Sequence, residues 1–559
     1  MTDTIKTHIQ SKLTRIYGAE IGQSTYHKLT ALLTPIRTGD VQHLAVSEAD
    51  AILICYGDHI QDGDTPPLQV LHHFLKQQVK PTINSIHILP FYPWTSDDGF
   101  SVLDYYQVDP ALGDWEHINA MKADFRLMFD AVFNHMSAQS EWFKKYLADE
   151  APYNQYFIAV PPETDLSDVV RPRALPLLTA FETASGTKHV WTTFSDDQVD
   201  LNASNPDVLL ELLKITRFYV EQGADLIRLD AIAFLWKEIG TSSIHLEQTH
   251  LIIQLMRDFL DIVAPDVVLI TETNVPHEEN ISYFGNGINE AQMVYQFPLP
   301  PLILQTLASG DSRYLTQWAQ SLDGIGGRTT FFNFTASHDG IGLRPVTGIL
   351  SQDEIEALVN RTKAHGGHVS YKANSDGSQS PYEMNITYFD AITHPDITAS
   401  DPDTAIDRFI VSQAIQLSLA GVPGIYFSSL FGSRNWSEGV EQTGRFRTIN
   451  RQKRDLTRLT HELNSDTLTH KVFTRYMDLI TQRRANPAFH PLASQTILAL
   501  DTGVFAILRQ SRDGQQAVLA LHNVTDTAIT VHLPDAVVAL GAWASSITLE
   551  PYAVAWLSS

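Results

Sequence analysis

A guanidinium and a carboxylate stand two residues apart at the end of the short apolar segment 223–230. The apolar run suits a buried parallel strand, and alternate residues of a strand share one face, so Arg228 and Asp230 point the same way. A neighbouring guanidinium lowers the pKa of a carboxyl group and keeps it ionised. An ionised Asp at a strand end can act as a covalent nucleophile. A purely structural ion pair fits these two residues equally well.

Further polar groups stand at or just after the ends of other apolar segments: Asp58, Asp130, Asn134, His135, Glu272, His338 and Asp339. If these segments are the strands of a barrel, their acidic groups converge on one mouth. Two carboxyl groups suffice for glycoside chemistry, because one attacks the anomeric carbon and a protonated partner gives its proton to the leaving oxygen. Glu272 suits the acid role through its longer side chain, provided that burial or anionic neighbours raise its pKa.

The elements that must position these groups alternate between strand and helix along most of the chain. Helices are predicted within 1–50 and at 67–79, 206–221 and 246–263, and strands at 51–58, 85–90, 125–133, 223–230, 267–272, 329–334 and 421–427. Apolar residues recur at helical spacing in the former and in short uninterrupted runs in the latter. The alternation predicts an α/β fold with a (β/α)8 barrel, also called a TIM barrel.

Two irregular stretches interrupt this alternation, and short apolar strands with turn dipeptides follow it. Irregular stretches after strand ends are typical of inserted domains, and closely spaced short strands predict an antiparallel β domain. We therefore divide the chain into three barrel segments, two inserted domains and a C-terminal β domain. The barrel segments are 1–104 (with N-terminal helices), 205–344 and 401–489, the inserted domains are 105–204 and 345–400, and the β domain is 490–559.

Composition excludes several classes of protein. With 43% hydrophobic and 18% charged residues, the chain is an ordinary soluble globular protein. A net charge of -25 argues against nucleic acid or an anionic membrane as a partner, because both would be repelled. The single cysteine, Cys55, fits a reducing compartment. The polar first residues lack a signal-peptide core, and no apolar run reaches the roughly 18 residues of a membrane span, so we expect a cytoplasmic protein.

Four segments resemble, in order and spacing, the motifs of the α-amylase superfamily: 130–135, 227–230, 270–272 and 336–339. The resemblance implies a barrel with a domain inserted after its third strand, and retaining chemistry through a covalent glucosyl-enzyme. It implies that Asp230 is the nucleophile, Glu272 the acid/base and Asp339 the stabiliser of the transition state. Further residues would surround the bound glucose: Arg228, His135, His338 and Tyr105.

A narrower resemblance is to the sucrose phosphorylase subfamily, and it rests on segments 171–173, 191–200, 237–242, 297–301, 338–342 and 447–451. It implies that Asp58 and Arg447 pair at the closed end of a pocket for one glucose, with Phe194 and Gln198 beside the sugar. It also implies that phosphate, held by Arg173 and Tyr382, attacks the glucosyl-enzyme in place of water. A guanidinium fork matches phosphate oxygens bidentately, which suits Arg173 to this task.

The sequence departs from sucrose-specific members where the leaving group would lie. Phe234, Asn274 and Glu383 stand where those members have Tyr, His and Gln, and Tyr105 replaces a His. In these positions the chain looks closer to relatives that act on glucosylglycerol or glucosylglycerate. Recognition of fructose is therefore less favoured than recognition of glycerol or glycerate.

The charge of Glu383 decides between the two remaining leaving groups. An ionised carboxylate accepts hydrogen bonds from hydroxyls and repels an anion, which favours neutral glycerol. The predicted reaction is phosphorolysis of 2-O-α-glucosylglycerol to α-glucose 1-phosphate and the free polyol. Glucosylglycerate is the alternative, because Arg434 or Arg445 could neutralise Glu383. Phosphorolysis of sucrose or sucrose 6-phosphate and hydrolysis by an α-glucosidase stay open.

No cofactor is expected beyond phosphate, which is a substrate. No His/Cys cluster has the spacing of a metal site, and Asp97 and Asp98 are interpreted as part of a solvated or sugar-facing loop rather than a cation site. The expected partners are a small α-glucoside and phosphate, and the chain is expected to be a monomer or homodimer.

Overall fold

The computed structural model describes residues 2–40, 43–173, 175–322, 326–373 and 378–559. Its centre is a closed barrel of eight parallel strands that follow one another around the ring in chain order. We label them β1 (Ile52–Cys55), β2 (Ser85–Ile88), β3 (Arg126–Ala131), β4 (Ala224–Leu229), β5 (Val268–Thr271), β6 (Met293–Tyr295), β7 (Thr330–Phe334) and β8 (Val422–Tyr426). The predicted (β/α)8 barrel is confirmed.

Seven of the eight strands are predicted by the sequence, and β6 is not. It has three residues and follows the polar side chains of Glu290 and Gln292, so it lacks a recognisable apolar run. Pairing with β5 and β7 makes it a strand, since Met293 lies opposite Ile270 on one side and opposite Thr330 on the other.

Helices alternate with these strands. The principal ones are Pro67–Gln78, Trp115–Lys122, Pro206–Gln222, Glu247–Val263, Leu299–Ser309, Arg313–Gln320, Pro402–Ser418, Leu456–Leu463 and Leu468–Arg484. The helix before β4 shows how the chain sets these boundaries. Asn205 caps its first turn through Asp207 N, and Gly223 ends it at φ 108°, a conformation that glycine adopts without a Cβ clash. The chain then enters β4 at once.

Of the two N-terminal helices, Thr2–Tyr17 packs against helix Glu247–Val263, and Ala19–Thr30 packs against helix Pro206–Gln222. Ile9 and Leu13 are fully buried, and Lys12 forms an ion pair with Asp258. These helices therefore brace the helices that lead into β4 and β5.

The chain inserted after β3 contains helix Glu141–Leu147 and two small antiparallel sheets. One pairs strands His135–Ser137 and Gln198–Asp200, and the other pairs Leu178–Thr183 and Gly186–Trp191. The first of these sheets starts at His135, so the insertion begins at the mouth of the barrel.

The second insertion, predicted as irregular, is ordered, and that prediction is wrong. It holds helix Gln352–Ala364 and strands His368–Ala373 and Gln379–Asn385, which form a sheet with Ile341–Gly342 just before the insertion. Three of its buried residues, Leu358, Val359 and Met384, pack in the main hydrophobic core, although the surrounding sequence is polar. The insertion ends with the short helices Tyr388–Ile392 and Pro395–Ser400. Other short helices are His277–Ile281 after β5, and Phe427–Leu430 and Ser437–Thr443 after β8.

The C-terminal part is an antiparallel β unit, as predicted. Strands Ser494–Leu498, Val504–Gln510, Ala517–Asn523 and Val554–Ser558 form one sheet, and Ile529–His532 pairs with Ser546–Leu549 beside helix Asp535–Gly541. Buried Arg509 donates to the carbonyl oxygens of Ser418 and His490 and so joins this sheet to the barrel. Among the described residues no helix is both long and apolar enough to span a bilayer.

Candidate active site

A cleft with about 830 Å³ of space opens at the carboxyl ends of the barrel strands. Most of the residues singled out in the sequence line it: Arg173, Phe194, Gln198, His135, Asp230, Glu272, His338, Asp339, Tyr382, Glu383 and Arg447. They come from several strand ends and from both insertions, so the tertiary fold gathers residues that lie far apart in the chain.

Asp230 and Glu272 are held by the barrel ladder itself. Asp230 follows β4, and its backbone N–H donates to Ala131 O at 3.2 Å. Glu272 follows β5, and its N–H donates to Leu229 O at 3.1 Å. Each carboxyl group is therefore one residue past a strand end, on backbone that still belongs to the sheet.

Arg228 lies beneath these carboxyl groups. Its Nη1 is 2.8 Å from Asp230 Oδ1 and also pairs with Asp130, while its Nη2 is 3.7 Å from Glu272 Oε2. It is 2% exposed, and its guanidinium packs on the ring of Tyr295 in β6. Arg228 lies below the residues that line the cleft, and its predicted place around the glucose stays a prediction.

The two carboxyl groups share a strongly coupled environment. Burial, together with the charges of Glu272, Asp130 and Asp339, raises the pKa of Asp230, and Arg228 opposes this rise. The expectation that Arg228 keeps this pKa low is therefore wrong. Burial also raises the pKa of Glu272. Because Arg228 stands closer to Asp230, a single proton shared by the pair is better placed on Glu272.

The backbone after the nucleophile supports this assignment. Ala231 has a φ of 46°, in the left-handed region, and its N–H donates to Glu272 Oε2 at 3.0 Å. Oε1 of Glu272 stays available to carry a proton. A strained residue beside reacting groups is typical of sites that fix their geometry in advance.

Asp339 is ionised. Burial opposes its charge, but Arg447, His338 and Arg451 outweigh burial and hold the pKa of Asp339 well below its usual range. Burial lowers the pKa of His338 to about 3, so this imidazole is neutral. It stacks on Phe100 with ring centroids 4.7 Å apart. The cleft thus contains the ionised Asp339, the coupled carboxyl groups of Asp230 and Glu272, the cationic Arg447 and the neutral imidazole of His338.

The predicted pair of Asp58 and Arg447 is wrong. Asp58 pairs with Lys453 and does not line the cleft, whereas Arg447 contacts Asp339 and Glu383. Besides Asp339 and Glu383, the carboxylate of Asp97 also lines the cleft near Arg447. Asp58 lies in the turn after β1, and its side chain pairs with Lys453, which is far away along the chain.

Behind Asp97 a second ion pair closes the site. Asp98 pairs with Arg451, which is 4% exposed and donates from Nε to His338 O at 2.8 Å. The interpretation of Asp97 and Asp98 as a sugar-facing loop therefore fits the position of Asp97 alone.

Tyr105 does not reach the cleft either. Its hydroxyl donates to Val132 O at 2.8 Å and lies 3.1 Å from His135 O, and the side chain is 2% exposed. It supports the backbone that carries His135 instead of surrounding a sugar. His135 Nε2 and Gln198 Nε2 both lie within hydrogen-bond distance of Phe100 O, at 2.9 and 3.1 Å.

Where the leaving group is predicted to lie, the structure shows an ion pair that the sequence could not: Glu383 with Arg447. Glu383 is 2% exposed and accepts from Arg447 Nε at 2.9 Å and from Arg447 Nη2 at 2.6 Å. Neither of the two arginines named from the sequence provides this contact. Arg434 pairs with Asp390, and Arg445 lines a neighbouring cleft. Arg447 therefore offsets part of the negative charge of Glu383, although it also pairs with Asp339, and the repulsion expected from a free carboxylate is weakened.

Other residues of the cleft are not predicted as site residues from the sequence. Asp97, Phe100, Phe297 and Arg344 line it, and Arg451 closes it from behind. The aromatic and acidic composition of loop 91–100 does point to Asp97 and Phe100. Arg344 follows the short strand Ile341–Gly342, whose pairing with the second insertion is visible only in the structure.

Known proteins share this architecture. Residues 77–339 match the Alpha-amylase family, catalytic domain. The chain is 49% identical over 522 residues to a glucosylglycerate phosphorylase of Spirochaeta thermophila, covering 92% of this chain and 88% of that protein. It is 29% identical to a glucosylglycerol phosphorylase of Marinobacter adhaerens, covering 78% of this chain and 87% of that protein.

Among solved structures, the crystal structure of sucrose 6F-phosphate phosphorylase from Thermoanaerobacter thermosaccharolyticum superposes with a TM-score of 0.74. The two chains are 23% identical, and the match covers 85% of this chain and 94% of the other, so it supports the fold. Together with the relatives above, these matches show that the chain belongs to the alpha-amylase family, among its glycoside phosphorylases.

Proposed function

We propose that this enzyme cleaves 2-O-α-glucosylglycerate with phosphate and releases α-glucose 1-phosphate and glycerate. This replaces the neutral glycerol favoured above, a choice that depends on an unpaired Glu383 carboxylate. The observation that carries the proposal is the bidentate contact of Arg447 with Glu383, at 2.9 and 2.6 Å. Arg447 also pairs with Asp339, so it offsets part of the charge of Glu383 and weakens the repulsion of a carboxylate on the leaving group.

Similarity supports the same choice. The Spirochaeta thermophila relative is a glucosylglycerate phosphorylase at 49% identity, whereas the glucosylglycerol phosphorylase is at 29%. Both cover more than three quarters of this chain. The difference in identity favours glycerate as the leaving group.

The geometry allows a double displacement. Asp230 attacks the anomeric carbon while Glu272 gives its proton to the glycosidic oxygen, and glycerate leaves. Asp339, held ionised by Arg447, binds sugar hydroxyls beside the carbon that becomes positive. Glu272, now a base, accepts a proton from phosphate as phosphate attacks the glucosyl-enzyme, and the two inversions retain the α configuration.

Phosphate would be held by Arg173 and Tyr382. Both line the cleft, and the charge of Arg173 counteracts the rise that burial causes in the pKa of Tyr382, so the two groups lie close together. A guanidinium with a phenol beside it offers several donors to phosphate oxygens. Phosphate is a substrate in this scheme, and no cofactor takes part.

The test is a substrate comparison with and without phosphate. Purified enzyme is incubated at equal concentrations of 2-O-α-glucosylglycerate, 2-O-α-glucosylglycerol and sucrose, and initial rates of α-glucose 1-phosphate formation are measured. We expect phosphate-dependent turnover, fastest with glucosylglycerate. Preference for glucosylglycerol would contradict the proposal, and release of free glucose at the same rate without phosphate would indicate a hydrolase.

A further inference from the structure

We propose that Arg344 binds the carboxylate of the leaving glycerate and so determines the choice between glycerate and glycerol. This inference rests on the proposed function. Arg344 lines the cleft but takes part in none of the steps derived above.

The proposed role of Glu272 indicates on which side of the cleft the leaving group lies, and Arg344 lies on that side. A general acid must reach the glycosidic oxygen, so the leaving group lies on the side of the cleft where Glu272 stands. Asn274, two residues after Glu272, lines that side of the cleft and lies against Gly342. A Cβ added at Gly342 would come within 2.9 Å of Asn274 Nδ2. Arg344 follows in the same segment, after Leu343, whose N–H donates to Tyr382 O at 3.0 Å.

The guanidinium of Arg344 is available for an anion. Within the described residues its acidic partner is Glu279, at 3.5 Å, the outer limit of a hydrogen bond. The Glu279 side chain is 43% exposed and also lies 3.1 Å from His245 Nε2, so water and a second partner weaken this contact. An incoming carboxylate inside the cleft, where water is scarcer, can compete for the fork of donors.

A second observation points to a hydroxylated ligand beside it. Asn274 Oδ1 is buried and has no hydrogen-bond partner among the described residues. A buried amide oxygen of this kind is costly to leave unpaired, and a free hydroxyl of glycerate would satisfy it. Arg344 and Asn274 together match the carboxylate and the hydroxyl that distinguish this leaving group from apolar ones.

The test replaces Arg344 by Met and by Lys and measures kcat/KM for glucosylglycerate and for glucosylglycerol, both with phosphate. For Arg344→Met we expect a loss of roughly 10- to 100-fold on glucosylglycerate, as for a lost charge-assisted contact, and less than about threefold on glucosylglycerol. Arg344→Lys should recover part of the loss, because Lys keeps the charge but lacks the fork. Lys372→Met is the matched control, since Lys372 lies close enough to feel the charge of Arg344.

A loss of similar size on both glucosides, or with Lys372→Met, would overturn the proposal in favour of a structural or diffuse electrostatic role. Turnover of α-glucosyl fluoride with phosphate checks the fold of each variant, and a raised KM for phosphate there would assign Arg344 to phosphate instead. Inhibition of this turnover by free glycerate separates the two proposals. If the wild type does not cleave glucosylglycerate, the proposed function fails, while inhibition by glycerate that Arg344→Met abolishes would still support the carboxylate site.

Discussion

At the scale of single residues, two arginines organise the carboxyl groups of the cleft. Arg228 lies beneath Asp230 and Glu272, at 2.8 and 3.7 Å, and Arg447 joins Asp339 to Glu383. Each arginine therefore bridges two acids with different tasks. This arrangement keeps several acidic side chains within one small cleft without leaving their charges unopposed.

The nucleophile can be tested by removing its negative charge alone. Asp230→Asn keeps nearly the same shape, so the protein should fold, but the amide oxygen cannot form the glucosyl ester. We expect a loss of about 10⁴-fold or more in kcat on every α-glucoside, with an unchanged circular dichroism spectrum. Retention of a tenth of the activity would show that another carboxylate attacks the sugar.

The acid/base can be tested through its dependence on the leaving group. Glu272→Gln should slow cleavage of glucosylglycerate by roughly 10²- to 10⁴-fold and spare α-glucosyl fluoride, which needs little protonation. Because burial raises the pKa of Glu272, the alkaline fall of wild-type kcat/KM should begin above the ordinary Glu range. Rates on both substrates across pH check this. An equal loss on the two would contradict the acid role.

At the scale of elements, the two insertions bring the residues proposed to contact phosphate and the leaving group to the barrel mouth. The first carries Arg173 between its small sheets, and the second carries Tyr382 and Glu383 on strand Gln379–Asn385. The barrel strands supply the groups that act on the glucose. Acceptor choice can therefore change in the insertions without changing the glucose chemistry.

For the first insertion we predict that Arg173→Ala raises the KM for phosphate and lets water compete for the glucosyl-enzyme. The reason is the loss of a guanidinium donor beside Tyr382. The ratio of free glucose to α-glucose 1-phosphate, measured at several phosphate concentrations, checks the prediction. Arg171→Ala, in the same loop but outside the lining of the cleft, is the control. An unchanged ratio in Arg173→Ala would place the phosphate site elsewhere.

A buried ion pair fastens this insertion to the chain after β4. Lys237 Nζ lies 2.7 Å from Asp200 Oδ2 and 2.7 Å from Asn134 Oδ1, and both charged side chains are almost inaccessible. Lys237→Met should destabilise the protein by roughly 3–5 kcal/mol, because Asp200 keeps a buried, unpaired charge. Denaturant unfolding measures the loss. Asp200→Asn in the same background should restore part of it, and no restoration would contradict the pairing.

At the scale of the whole molecule, a protein with a large net negative charge is proposed to bind two anionic substrates, in a cleft that contains arginines. The net charge is -25, so at low ionic strength both phosphate and glucosylglycerate approach against a long-range repulsion. Salt shortens this field from about 30 Å at 0.01 M to about 8 Å at 0.15 M, while contacts inside the cleft are screened less.

We therefore expect the KM for phosphate to fall as NaCl rises over this range. Initial rates at saturating glucoside and varied phosphate measure this KM. The control is the KM for glucosylglycerol, which is neutral and should not change comparably with salt. A phosphate KM that rises steadily with salt would show that the field of the arginines outweighs the net charge even at a distance.

The sequence by itself determined the barrel, the C-terminal β unit and the residues at the strand ends. Periodicity and strand-end position are local properties, so Asp230, Glu272 and Asp339 could be placed at one mouth from the order of their segments. The roles of these three residues are still predictions. What local pattern could not supply was β6, whose three residues become a strand only through their neighbours.

Only the tertiary structure decided how the charges pair. Asp58 meets Lys453, hundreds of positions away, Glu383 meets Arg447, and Tyr105 turns its hydroxyl to backbone oxygens. An ion pair forms between whichever groups the fold brings within a few ångströms, and chain separation carries no information about that distance. The leaving-group prediction depended on one such pair, and the contact of Glu383 with Arg447 weakens the reason for preferring glycerol.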